Sequence, residues 1–246
     1  MTSLVGAKRL LRRDASPQKA KILQSFFKTG KGQYGEGDVF IGVTVPNIRR
    51  VARAYSDLKT KDILKLLHSK IHEERLLALL IWVIQFEKSE ERLKQKIFDL
   101  YLKNTRWVNN WDLVDLSAPK IAGAYLLFQP RDILYKLAKA KMLWERRIAV
   151  IATLAFIREG QFRDTLAVSK ILLDDREDLM HKACGWMLRE AGKRDPRVLA
   201  GFLEKYCRVM PRTMLRYSIE RLSKNARRKF MAAKSPRPTN GEKKKN

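Results

Sequence analysis

From one end of this 246-residue chain to the other, apolar residues recur at the spacing of a single helix face, and almost nothing alternates at the period of a strand. Residues 72–87, HEERLLALLIWVIQFE, place Leu76, Leu79, Leu80, Val83 and Ile84 on one face. Residues 142–157, 178–192 and 210–222 read the same way. Breakers separate them. Pro46, Pro130 and Pro196 suit the first turn of a helix, Asp195 suits an N-cap, and Gly160 and Gly192 suit helix ends. The one plausible strand, Val39–Val45, has no partner. The chain is therefore expected to be all-α.

An interval adds architecture. Arg75, Trp111 and Arg147 follow one another at steps of 36 residues, and another apolar helix runs through Ala183 to Trp186. A helix pair repeated at this length cannot bury its apolar face alone, so neighbours stack. The expected fold is a HEAT-like α-solenoid of antiparallel helix pairs with a concave groove; a non-repetitive helical bundle is the alternative. No internal linker is visible. Residues 1–223 read as one domain, and 224–246, which lack apolar periodicity and end in a lysine run, read as a disordered basic tail.

Charge narrows the partner. The net charge is +26, of which the tail carries +8, leaving +18 on the body. A folded body this positive repels itself unless a polyanion is near, and nucleic acid is the leading candidate. The longest apolar run, Leu76 to Ile84, is too short to span a bilayer, and the start MTSLVGAKRLLRRDAS, without a long apolar stretch, leads us to expect no secretion. Cys184 and Cys207 do not make a disulfide framework and read as reduced thiols of a cytoplasmic protein. His72-Glu73 opens like a metalloprotease helix, but Leu76 stands where the second ligand belongs, so no metal is expected. Gly30, Gly32 and Gly35 match a dinucleotide-loop pattern without the strand–helix context that gives it meaning.

Three stretches carry possible chemistry. In 34–50, YGEGDVFIGVTVPNIRR, a helix begun by Pro46 carries Arg49, Arg50 and then Arg53, a start that can hold a phosphate or can simply be a solvated basic face. In 107–119, WVNNWDLVDLSAP, Asn110 caps a helix on which Trp111 and Asp115 share a face. An aromatic beside a carboxylate can cradle a cation; the same pair also suits a core tryptophan and a salt-bridged aspartate. Asp112, in the first turn, complements the helix dipole and reads as structural. Arg147 and Trp186 fall near the same place in later repeats, so Trp111, Asp115, Arg147 and Trp186 are expected to line one groove. Trp144 and Arg146 fall on other faces.

The motifs FIGVTVP (40–46) with Arg49 and Arg50, HEERLLAL (72–79), WDLVD (111–115), WERRIAV (144–150) and KACGWMLRE (182–190), in this order, resemble the AlkD-type DNA alkylation repair family of HEAT-like-repeat glycosylases. The likeness runs from about residue 15 to 222. It implies Asp115 as the catalytic carboxylate with Trp111, Trp186 as the second aromatic, Arg147 as a phosphate-binding arginine, and Tyr34 as an N-terminal aromatic against the DNA. It implies excision of N3- and N7-alkylated purines from double-stranded DNA, with no metal or other cofactor, by a protein expected to act as a monomer. The alternative is a non-catalytic solenoid that recognises damaged or branched DNA. An RNA-associated scaffold also satisfies the charge.

Overall fold

In the computed structural model, which describes residues 3–233, the chain is all-α. The helices of the first part are α1 (Leu4–Arg12), α2 (Pro17–Phe26), α3 (Val45–Ala54), α4 (Thr60–Leu67), α5 (His72–Lys88), α6 (Glu91–Lys103), α7 (Trp111–Ser117), α8 (Ala124–Leu126), α9 (Asp132–Ala138) and α10 (Leu143–Ala152). Then follow α11 (Leu154–Arg158), α12 (Arg163–Ile171), α13 (Asp178–Arg194), α14 (Pro196–Tyr206), α15 (Arg212–Ser218) and α16 (Lys224–Ala232). Among the described residues Val39 makes an isolated parallel bridge to Ile71 and no strand forms. Neighbouring helices pack in succession, α3 and α4 on α5 and α9 on α10, as an α-solenoid requires.

Several expectations need correction. The described residues divide into two compact units that meet between Ala155 and Phe156, where the sequence offers no linker. The boundary falls inside α11 (Leu154–Arg158), a helix too short for its break to show in the periodicity. Residues 224–232, expected to be disordered, form α16, whose first turn is capped by the Ser223 hydroxyl accepting from the Ala226 N–H. The remainder of the expected tail, 234–246, lies outside the described residues. Pro130 precedes α9 by two residues, and Gly192 lies within α13. The helices that carry the motifs begin at 72, 111, 143 and 178, so the steps of 36 are an average and not a strict register.

The core of the first unit centres on α5. Thirteen of its seventeen residues are buried, among them His72, Glu73, Glu74 and Arg75. A helix that buries four ionisable groups in its first turn must satisfy each. Glu73 does so by accepting the backbone N–H groups of Ile41, Gly42 and Val43 at 2.8–3.2 Å, which folds the FIGV segment around its carboxylate. Glu74 takes Lys8 and Arg12, each at 2.8 Å, and so ties α1 to α5.

Gly42 makes the loop possible. Its φ is +82°, and a Cβ there would lie 2.1 Å from the Ser16 carbonyl oxygen. Gly42→Ala is expected to lower stability by about 3 kcal/mol or more, combining left-handed strain with a backbone clash. A urea midpoint within error of wild type would contradict that geometry.

Gly123, the last residue of a π-helical turn (Pro119–Gly123) after α7, serves close packing: a Cβ there would sit 2.2 Å from the Ala152 carbonyl of α10.

Candidate functional site

The first turn of α7 is held by a buried polar chain. Asn110 accepts the Trp111 N–H at 2.9 Å as the expected N-cap, and its amide donates to Asp38 at 3.1 Å. His72 lies between two carboxylates, Nδ1 on Asp38 and Nε2 on Asp112, both at 2.9 Å. Arg75 completes the set, donating to the other Asp38 oxygen at 2.5 Å. Asp112 is thus structural, as expected, though its partner is a histidine 40 residues away as well as the helix terminus. Burial opposes the charged forms of both Asp38 and His72. Their mutual bonds outweigh it: Asp38 is held below the ordinary carboxylate range, with help from Arg75, and His72 is raised to about 9, chiefly by Asp112.

This raised value sets a pH dependence. A histidine charged more readily when folded contributes stability that is complete below its unfolded value of 6.5 and is lost as pH climbs through about 9. Between those limits wild type is expected to lose on the order of 2–3 kcal/mol that His72→Gln never had. Denaturant midpoints at both ends of the range, in both proteins, measure the difference; parallel curves would show that His72 is neutral.

Trp111 and Asp115 share a face of α7, and both are half-buried. Asp115 meets α10 directly. Arg147 Nε donates to Oδ1 at 2.9 Å and Nη2 to Oδ2 at 2.8 Å, a two-pronged pair. The Asp115 side chain keeps 16% exposure against 6% for Arg147. Burial lifts the Asp115 carboxyl above its usual range; Arg147 opposes the shift and Asp112 adds to it. The Arg147 guanidinium thus holds the Asp115 carboxylate, and its side chain is buried against α7.

Aromatic rings close the other side. Phe27 stacks on Trp111 with centroids 5.0 Å apart, and Phe26 meets Trp111 edge-on at 5.9 Å. Phe26 is 61% exposed, an unusual position for a large apolar ring. Tyr34 sits elsewhere, edge-on to Trp144 at 6.2 Å. The N-terminal aromatic next to Trp111 is Phe26, not Tyr34. The paired phenylalanines at the end of α2 were the available signal.

The arginines of α3 separate. Arg50 pairs with Asp14 at 2.6 Å on the surface. Arg49 and Arg53 line a depression of about 220 Å³ with Leu116 of α7 and Lys120 of the π-helical turn. Lys120, which sequence reasoning passed over, also meets Glu87 at 3.0 Å. Trp186 belongs to the second unit, half-buried on α13, its indole N–H donating to Glu190 at 3.2 Å. No group of three or more metal-ligating side chains occurs among the described residues, and no described helix is long and apolar enough to cross a membrane.

These features define a basic helical-repeat protein with a partly exposed carboxylate on the same helix face as a half-buried tryptophan, next to an exposed phenylalanine ring. A family model for DNA alkylation repair enzymes matches residues 7–222, and the chain belongs to that family. Among solved structures it is similar to a predicted DNA alkylation repair enzyme from Enterococcus faecalis, at 16% identity and a TM-score of 0.66, over 86% of this chain and 98% of that one. At that identity the likeness speaks for the fold. No curated protein matches the chain.

Proposed function

We propose that this protein is a monofunctional DNA glycosylase that releases N3- and N7-alkylated purines from duplex DNA. The observation that carries the reading is the Asp115–Arg147 pair, a partly exposed carboxylate fixed by two hydrogen bonds beside Trp111 in a DNA alkylation repair protein.

The chemistry suits one carboxylate. An N3- or N7-alkylated purine is cationic, so when the C1′–N bond breaks its electron pair leaves with the base, which departs neutral. No acid is needed to protonate the leaving group. The deoxyribose becomes oxocarbenium-like, and water adds at C1′ and gives up a proton. Asp115 stabilises the developing positive charge and receives that proton. Arg147 fixes the carboxylate's direction, and its charge favours the ionised form against the burial that disfavours it. Trp111 and Phe26 present rings to the sugar and shield the carboxylate from bulk water, which strengthens its field. Arg49 and Lys120 supply phosphate contacts, which carry affinity and little sequence preference. Trp186 is assigned a part in substrate capture through the family resemblance, and Trp186→Ala tests it.

The deciding assay incubates the purified protein with an N7-methylguanine-containing duplex and measures free base. Release above the spontaneous rate is expected. A second reading, DNA binding without excision, is favoured by one feature: a carboxylate already paired with a buried arginine is also what a purely structural ion pair looks like. Tight binding with no base release would establish it.

A further inference from the structure

In the second unit, α12 and α14 both pack on α13, and a groove of about 510 Å³ runs between them. Leu166, Ala167, Phe202 and Tyr206 give it an apolar lining, and the exposed Gly201 lies among them. Its rim is cationic: Arg163, Lys170, Arg197 and Lys205 line it, and no carboxylate does. Arg197 pairs with Asp195 at 3.1 Å but leaves its side chain 93% exposed.

Gly201 is the informative residue. It stands in the middle of α14, where glycine costs about 1 kcal/mol relative to alanine. The other helical glycines of this unit have internal reasons. A Cβ on Gly185 would lie 2.5 Å from the Tyr217 Cβ, and one on Gly192 would lie 2.5 Å from a Leu199 methyl. A Cβ on Gly201 would meet nothing within 4 Å. Gly201 therefore leaves the α14 backbone bare and open beside the groove, where another helix can approach it closely.

We propose that the α12–α14 groove docks an acidic amphipathic helix of a partner protein. A helix laid between two helices places apolar side chains at i, i+3, i+4 and i+7 on the groove floor, and glycine lets the backbones close together. Glutamates or aspartates flanking that stripe then meet the four rim cations. A nucleic-acid backbone would satisfy the cations but leave the apolar walls wet. A second copy of this chain, at +26, would bring like charge to like charge.

The test uses the full-length protein and a labelled synthetic helix about four turns long, with a leucine stripe flanked by glutamates, read by fluorescence anisotropy. Saturable micromolar binding that weakens with salt is expected, and the same peptide with lysines in place of glutamates is expected not to bind. Gly201→Trp fills the groove without touching the core, so it is expected to melt no lower than wild type, bind duplex DNA as wild type does, and lose roughly tenfold or more in peptide affinity. Any of four results overturns the proposal: no saturable binding of the acidic peptide; equal binding by Gly201→Trp, which marks generic attraction; weakened duplex binding by that variant, which makes the groove a nucleic-acid surface; or self-association that Gly201→Trp abolishes, which assigns it to a second copy.

Discussion

Asp115→Asn is expected to slow base release from an N7-methylguanine duplex by about a hundredfold or more, roughly 3 kcal/mol of barrier, while leaving duplex affinity within about twofold. The substitution keeps the side chain's size and one acceptor for Arg147 but removes the charge that stabilises an oxocarbenium-like sugar. Asp112→Asn is the matched control. The two residues have the same side chain and lie three positions apart, yet Asp112 is buried against His72 and the Leu113 N–H whereas Asp115 faces Arg147 and keeps access to solvent. Asp112→Asn therefore costs stability, about 1–3 kcal/mol, and leaves the single-turnover rate intact at temperatures well below its melting point. Wild-type rates for both variants would remove Asp115 from catalysis. If Asp112→Asn alone slowed release while remaining folded, the roles would be exchanged.

Replacing Arg147 with leucine has the second large effect, and it separates two roles. The carboxyl of Asp115 already stands above its ordinary range because burial outweighs the arginine's charge. Taking that charge away raises it further. Base release needs the ionised form, so its rate falls as pH drops through this value. In Arg147→Leu the acid limb of the pH–rate profile is expected at higher pH than in wild type, with a stability loss of about 3–5 kcal/mol at neutral pH from the uncompensated carboxylate. Arg147→Lys keeps a cation but not the two-pronged bond, so the limb is expected to lie between the other two. If Arg147→Leu weakens duplex affinity and leaves the acid limb in place, the arginine serves a phosphate, as the sequence alone implied.

What the sequence disclosed follows from the range of its signals. The helices of the apolar segments were legible because their pattern is local, and so was the Asn110 cap, which acts on the next residue's N–H. The shared face of Trp111 and Asp115 follows from helix geometry alone. The place of Arg147 on its helix is legible, but its bond to Asp115 is not, because that partner lies 32 residues earlier. The same distance problem hid the clamp around His72, whose two carboxylates are 34 and 40 residues away. His72 was read only as half of a missing zinc site. The resemblance points to Tyr34 and passes over Phe26, because counting along an irregular, glycine-punctuated loop says little about where its ends land. The helix at 224–232 escaped notice because it buries none of its residues and so leaves no apolar stripe to read.

Gly123 has a bearing on the chemistry although it carries no side chain at all. Its missing methyl lets the turn after α7 rest directly on the Ala152 carbonyl, and α10, the helix that ends at that carbonyl, also bears Arg147. The spacing between carboxylate and guanidinium is thereby set in part by a backbone-to-backbone stop where the turn after α7 meets the end of α10. A side chain as small as alanine's would act as a shim, and hydrogen bonds of 2.8 and 2.9 Å tolerate only a few tenths of an ångström before they weaken. The alignment of the Asp115–Arg147 pair thus depends on a position with no charge and no side chain, and a change there would reach the pair through the packing of two helices.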